Sequence, residues 1–256
     1  MNAKTANQFE SIEEFLSGTL LLIDKPLGWT SFDVMGKIKA YVRHHLSMPQ
    51  NANGDSPKFK VGHAGTLDPL ATGLLVVCTG KMTKSIDSIQ SGLKEYTGTI
   101  YLGKTTPSYD LETEPEGEYS TEHITEESLR EVAASFIGEQ WQTPPIYSAK
   151  QVNGKRAYES ARAGQHVDIP PSLIHIHAFE ITRIELPQVD FLIRCSKGTY
   201  IRTIANDFGK RLQSGSYLKA LRRTESHPYR IEDSMTPEAL MLRLDELKAN
   251  SELAKK

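Results

Sequence analysis

The chain has 256 residues, a net charge of −2 with histidines neutral, and a hydrophobic fraction of 38%. That is length for one large domain or two small ones, and apolar runs such as Leu74–Cys78 fall far short of the ~20 residues of a transmembrane helix. The N-terminus has no basic start followed by an apolar stretch, and Cys78 and Cys195 make neither a disulfide framework nor a zinc set, so a cytoplasmic protein with reduced thiols is expected.

The small net charge hides a split. Residues 110–139 hold ten acidic side chains against one basic, a net −9, and residues 141–230 hold fourteen basic against seven acidic, a net +7. Such asymmetry suits a basic surface for a polyanion, or else two solvated faces with no partner.

In chain order, residues 1–18 are polar and read as a tail or short helix. Thr19–Asp24 suits a buried strand, broken by Lys25-Pro26-Leu27-Gly28. Thr30 or Ser31 can cap a helix that places Val34, Ile38, Tyr41 and Val42 on one face. Residues 46–60 are rich in Asn, Pro, Ser and Gly and read as a surface loop. Leu74–Cys78 and Lys94–Leu102 read as strands, the second alternating Tyr96, Gly98, Ile100 and Leu102. The acidic stretch 110–127 is a loop. A helix begins at Thr125, with Leu129, Val132, Ala133 and Phe136 as its stripe and Gly138 just past its end. Residues 144–172 are rich in Pro, Gly, Lys and Arg, with a short helical piece at 157–163. Strands follow at 174–186 and 189–195, a helix at 200–212, a strand at 217–223, and a last helix with Thr236 as cap and Pro237 at its first position. Strands and helices mix without strict alternation. The expected class is α/β or α+β with a largely antiparallel sheet, and no linker divides the chain.

The segment Gly62-His63-Ala64-Gly65-Thr66-Leu67-Asp68-Pro69-Leu70-Ala71-Thr72-Gly73 stands out. Three glycines, a proline and an Asp-Pro step lie between two strand-like runs. Glycine permits positive φ and close backbone approach, and proline pushes Asp68 toward extended backbone. The result is a shaped loop with a carboxylate at its apex, suited to catalysis, or a turn in which Asp68 bonds its own backbone.

A second cluster, Lys197-Gly198-Thr199-Tyr200-Ile201-Arg202, spans a strand-to-helix junction. A buried carboxylate such as Asp68 needs a cation, and Arg202 qualifies. At a helix start Arg202 opposes the helix dipole, which suggests that it is engaged with something. Tyr96 offers an aromatic face to a flipped base or is a core tyrosine. Arg222 and Arg223 suit phosphate contact or are a solvated pair. Trp141 and Tyr147 interleave with Lys150, Lys155, Arg156 and Arg162, a mix suited to RNA. His175 and His177 share a strand face but lack a third ligand, so no metal site is expected. Gly103-Lys104-Thr105 lacks the upstream glycine of a P-loop.

The 62–73 segment resembles the catalytic motif of the TruB family of pseudouridine synthases. Asp24-Lys25-Pro26 with Gly28 and Ser31, Lys94-Glu95-Tyr96, Pro144–Lys150, Cys195–Arg202 and Leu221-Arg222-Arg223 match in the family's order, so the likeness runs from about residue 19 to 230. It implies isomerisation of uridine 55 in the TΨC loop of tRNA, with no cofactor and no metal. It implies the pseudouridine synthase fold, a mixed, mostly antiparallel sheet flanked by helices.

The domain expectation is a tail over 1–18 and one catalytic domain over 19–250 with a thumb-like insertion at about 144–172. The same resemblance makes Asp68 the catalytic aspartate, attacking uracil C6 or ribose C1′. Tyr96 is then the tyrosine stacked on the base and Arg202 the arginine paired with Asp68. His63 is the wedge entering the RNA loop, and Tyr200 and Leu221 line the base pocket. Lys84, Arg222 and the 144–172 segment contact RNA, and Lys25, Pro26 and Gly65 support the loop.

Two departures are noted. The 46–60 loop is longer than usual in the family, and too little chain follows Arg230 for the C-terminal PUA domain that many members carry. The expectation is a monomeric enzyme acting on the tRNA T stem-loop without a membrane partner. A non-catalytic RNA-binding folding factor for tRNA is the competing class.

Overall fold

The computed structural model describes residues 6–46, 58–148, 150–152, 155–156 and 168–254. The helical piece expected at 157–163, most of the thumb-like insertion and most of the 46–60 loop lie outside the described residues. The sequence suggests one domain over 19–250. The chain clusters into two compact units, the first of residues 1–92 and 222–256 and the second of residues 93–221. The architecture is a mixed, mostly antiparallel sheet flanked by helices. The named ladders are antiparallel, with isolated parallel bridges at Ile23–Met235 and Asp110–Leu218.

The first unit opens with helix α1 (Ile12–Gly18), capped by the Ser11 hydroxyl accepting from Glu14 N–H. It continues through strand β1 (Leu20–Lys25), helix α2 (Ser31–His45), strands β2 (Val61–His63) and β3 (Ala71–Thr79), a 3-10 stretch at Gly80–Ser85 and helix α3 (Ile86–Gln90). Strand β3 pairs with β1 and with β2. The apolar runs of β1 and β3 have a direct cause: both faces of these strands are covered. Leu21, Ile23, Leu75 and Val77 face a core with Val34, Ile38, Tyr41 and Val42 of α2. Leu20, Leu22, Leu74, Val76 and Cys78 face Ala64, Ile89 and Tyr229 on the other side. Both cysteines are free and buried, and burial pushes the Cys78 thiol up to about 11.

In the second unit, β4 (Lys94–Leu102) pairs with β9 (Gln188–Cys195), β9 with β8 (Ser172–Glu185), and β8 with β5 (Gly138–Gln142). A separate short ladder joins β6 (Gln151–Val152) and β7 (Lys155–Arg156). Helices α4 (Glu126–Ala134) and α5 (Ile201–Arg211) supply the remaining core. Phe136, Phe179, Phe191 and Phe208 pack ring against ring at 5.4–6.5 Å. Strand β10 (Ser216–Ser226) has its first residues in this unit and its last in the first unit. Beyond it, the first unit adds strand β11 (Tyr229–Arg230) and helix α6 (Pro237–Leu253), begun by the expected Thr236 cap and Pro237. Among the described residues no helix is long and apolar enough to cross a membrane.

The N-terminal segment takes the helical form of the two that the sequence allows, and it packs. Phe9 and Phe15 are buried in the α2 core, and the Phe15 ring lies 5.9 Å from that of Phe59. Strand β5 is not expected from the sequence. Its pattern, Gly-Glu-Gln-Trp-Gln, carries little apolar alternation because only Gln142 is buried. Truncating Phe15 to Ala is expected to cost ~3–5 kcal/mol, the usual penalty for emptying a buried aromatic site. Urea unfolding reads this directly, and a loss below ~1 kcal/mol would show that α1 does not belong to the core.

Candidate active site

The 62–73 segment forms the end of β2, a loop, and the start of β3. Gly65 has φ +99° and Gly73 has φ +100°. At Gly73 a Cβ would stand 2.3 Å from the Arg223 carbonyl oxygen, so both dihedral and space demand glycine. The backbone of the loop is held from outside. Leu67 N–H donates to Ser31 Oγ at 2.9 Å, and the Ser31 hydroxyl donates back to the Leu67 carbonyl at 3.2 Å. Gly28 N–H donates to the Pro69 carbonyl at 2.9 Å. Half-buried Asp68 sits between these two fixed residues, and its own carbonyl accepts from Ala71 N–H at 3.1 Å.

Two buried cations complete the support. Lys25 is 0% exposed, and its Nζ donates to the carbonyls of Pro26 at 3.1 Å, Trp29 at 2.5 Å and Pro69 at 3.5 Å. Burial brings its pKa down to about 8, opposed by the negative charge of Asp68 and reinforced by Arg223. Arg223 is 1% exposed. Its Nε donates to the Leu74 carbonyl at 2.7 Å and Nη2 to the Gly65 carbonyl at 3.0 Å. Its guanidinium therefore belongs to the loop's frame, a role distinct from the phosphate contact that the adjacent arginines suggest in sequence.

Arg222 is the half-exposed member of that pair. It holds both oxygens of Asp24 at 3.0 and 2.7 Å and approaches Thr72 Oγ1 at 3.4 Å. His63 lies half-buried on β2, and the Phe32 ring meets it edge-on at 5.7 Å. Burial and then the nearby Arg223 charge lower the His63 pKa, so it is neutral at pH 7. A cleft of about 390 Å³ opens beside it, lined by Phe32, Met35, Lys39 and Ile86 among others. Lys84 is exposed at the end of the 3-10 stretch, and Pro26 is half-buried next to Lys25.

In the second unit Tyr96 lies buried on β4, in register with Ile193 of β9. Arg202 is 4% exposed in the first turn of α5 and is engaged, as its position against the helix dipole suggests. Its Nη2 donates to the Tyr147 carbonyl at 2.9 Å and Nη1 to the Ser108 carbonyl at 3.4 Å, and the buried Asp110 carboxylate stands 3.6 Å from Nε. Tyr200, at the N-cap position, has no side-chain cap of its own. The buried amide of Gln142 brackets it instead, accepting from Tyr200 N–H at 2.8 Å and donating to its carbonyl at 3.1 Å. Leu221 is half-buried on β10. The His175 and His177 rings lie 4.2 Å apart, and no group of three metal-ligating side chains occurs among the described residues.

Sequence reasoning did not anticipate the loop-holding roles of Ser31, Arg223 and Gln142, because a side-chain bond to a distant backbone leaves no periodic signal. Asp110, read only as part of an acidic loop, is likewise drawn inward.

The chain matches the family profile described as TruB family pseudouridylate synthase, N-terminal domain, over residues 54–201. Over 223 residues it is 53% identical to the tRNA pseudouridine synthase B of Flavobacterium johnsoniae, covering 87% of this chain and 94% of that protein. Identity to the protein of the same name from Bacteroides fragilis is 48%, covering 87% and 92%. Among solved structures, a chain of a Cbf5–Nop10–Gar1 complex superposes with a TM-score of 0.66 at 26% identity, over 90% of this chain and 55% of that one. The chain belongs to the TruB family of pseudouridylate synthases. It is an enzyme of the isomerase class with the pseudouridine synthase fold.

Two consequences of the loop's frame are measurable. Gly73→Ala forces a side chain onto the Arg223 backbone at a positive φ, and a destabilisation above ~2 kcal/mol in urea unfolding is expected. The second concerns pH. Lys25 keeps its proton to about pH 8 in the fold and to its ordinary 10.5 in the unfolded chain, so the unfolded chain binds more protons between these values. The penalty for burying its charge is complete below about pH 8 and is relieved as pH rises toward 10.5. Unfolding of wild type and Lys25→Met should therefore show the difference shifting in favour of wild type from about pH 7.5 to about pH 9.5. A difference that is flat or moves the other way would refute this assignment.

Proposed function

We propose that this enzyme converts uridine 55 in the TΨC loop of tRNA to pseudouridine, with Asp68 as nucleophile. The observation that carries the reading is the framing of Asp68. Half-buried Asp68 lies in a loop whose flanking residues, Leu67 and Pro69, are both hydrogen-bonded from outside the loop. A covalent mechanism needs its nucleophile held in a near-attack position, and a rigid loop supplies that at no cost during the reaction.

The chemistry needs no net oxidation or reduction. The Asp68 carboxylate attacks uracil C6 or ribose C1′, the N1–C1′ bond breaks, the uracil turns, and C5 bonds to C1′. The C5 proton leaves to solvent, N1 takes up a proton in its place, and the bond to Asp68 breaks, so the product is an isomer of the substrate and the carboxylate is restored. By the family's motif order, Tyr96 is assigned to stack on the flipped base, Arg202 to pair with Asp68, and Tyr200 and Leu221 to line the base pocket. His63, neutral at pH 7 and seated against Phe32, is the assigned wedge. Flipping a base out of a folded loop costs a few kcal/mol, and stacking contributes ~1–3 kcal/mol per base in return. The names of the relatives in Flavobacterium and Bacteroides support tRNA as the substrate, and the basic stretch from 141 to 230 suits phosphate contact.

The test is tritium release from an unmodified tRNA transcript labelled at uridine C5, beside a transcript with position 55 replaced. Release is expected from the first only. Asp68→Asn should reduce release by at least a thousandfold while tRNA binding stays within a few fold. Equal release from both transcripts would remove the position, and turnover by Asp68→Asn would remove the nucleophile.

A further inference from the structure

The geometry points to Ser31 as a positioning residue for the reaction, acting on Asp68 through the backbone of Leu67; this rests on the reading of Asp68 as nucleophile. Ser31 is the first residue of α2, and its hydroxyl is not spent on the helix. Thr30 caps the helix instead. Its Oγ1 accepts from Asp33 N–H at 3.0 Å, and Asp33 Oδ2 accepts from Thr30 N–H at 2.7 Å. The Ser31 hydroxyl is therefore available, and it is 1% exposed. It both accepts from Leu67 N–H at 2.9 Å and donates to the Leu67 carbonyl at 3.2 Å.

This reciprocal pair satisfies both polar backbone groups of Leu67, itself 3% exposed, with one oxygen. The residue so fixed is the one immediately before Asp68. On the other flank, Pro69 accepts from Gly28 N–H and from Lys25 Nζ. Asp68 is thus suspended between two anchored residues. The anchor on the Leu67 side is a single side chain, attached to the end of a 15-residue helix whose apolar face is buried in the core. Without that hydroxyl, Leu67 N–H and C=O lose their partner in a dry site, and the loop must shift to regain one. A displacement of about 1 Å at a nucleophile is enough to lower a rate about a hundredfold.

The experiment compares Ser31→Ala and Ser31→Cys with wild type, Asp68→Asn and Val34→Ala. Val34 is fully buried on the same helix, in the α2 core, so its truncation reports general destabilisation. The readouts are the single-turnover rate of tritium release from the C5-labelled tRNA transcript, the dissociation constant for that transcript, and the melting temperature. Both Ser31 variants are expected to react ten- to a hundredfold more slowly at 25 °C with tRNA affinity within threefold of wild type. Val34→Ala is expected to melt earlier and to react at the wild-type rate. Thiol and hydroxyl are close in size, so Ser31→Cys carries the test should the alanine variant fail to fold.

A folded Ser31 variant reacting within twofold of wild type overturns the inference, as does a rate loss matched by Val34→Ala. If Asp68→Asn keeps turnover, the nucleophile assignment fails and the inference falls with it. An inactive Asp68→Asn beside fully active Ser31 variants removes the role of Ser31 alone.

Discussion

Backbone carbonyls of the Asp68 loop are bonded by two cations buried beneath it, and much of the first unit is arranged around that contact. Lys25 and Arg223 are almost completely removed from water. A bare charge in such a place is very costly, and it persists only if its donors are satisfied. The carbonyls of Pro26, Trp29 and Pro69 satisfy Lys25, and those of Gly65 and Leu74 satisfy Arg223. The dependence runs both ways. The loop gives each cation an acceptor, Pro69 for Lys25 and Gly65 for Arg223, and the cations in turn hold the loop. Asp68 takes part electrostatically, since its negative charge opposes the drop in the Lys25 pKa.

Close approach of strands makes this possible. Gly73 lets β3 pass against the backbone of Arg223 in β10 without a side chain between them. The same arginine can then reach past Leu74 to Gly65. On the other side, β1 delivers Lys25 at its last residue, opposite Gly73 in the β1–β3 ladder. Loop, strand ends and buried cations are thus parts of one local packing problem, solved by residues far apart in sequence.

The second unit uses the same device with neutral and acidic groups. The start of α5 has no side-chain cap, and the Gln142 amide supplies a donor and an acceptor to the Tyr200 backbone from strand β5. Arg202 opposes the dipole of its own helix, and two carbonyls and Asp110 offset that. In both units, polar side chains from ordered helices and strands fix irregular backbone, which is how a loop becomes precise enough for chemistry.

Most of the longer elements were legible in the sequence, and β5, with its weak apolar alternation, was not. Apolar runs gave β1 and β3, alternation gave β4 and β9, a 3.6-residue stripe gave α2 and α4, and the Thr236 cap with Pro237 gave α6, because each is a local pattern of burial or capping. The ordered motifs around Asp68 likewise named the family, since spacing and residue type survive in one dimension. What only the tertiary structure decided is who holds whom. Ser31 and Thr30 look alike as caps, and only the position of Leu67, 36 residues away, separates their roles. Arg222 and Arg223 look alike as phosphate ligands, and strand alternation sends one to Asp24 at the half-exposed surface and buries the other against the Asp68 loop. Asp110 and Gln142 carry no local sign of being buried. A side chain's partner across the fold depends on distance in three dimensions, and sequence periodicity records only which side of an element faces the core.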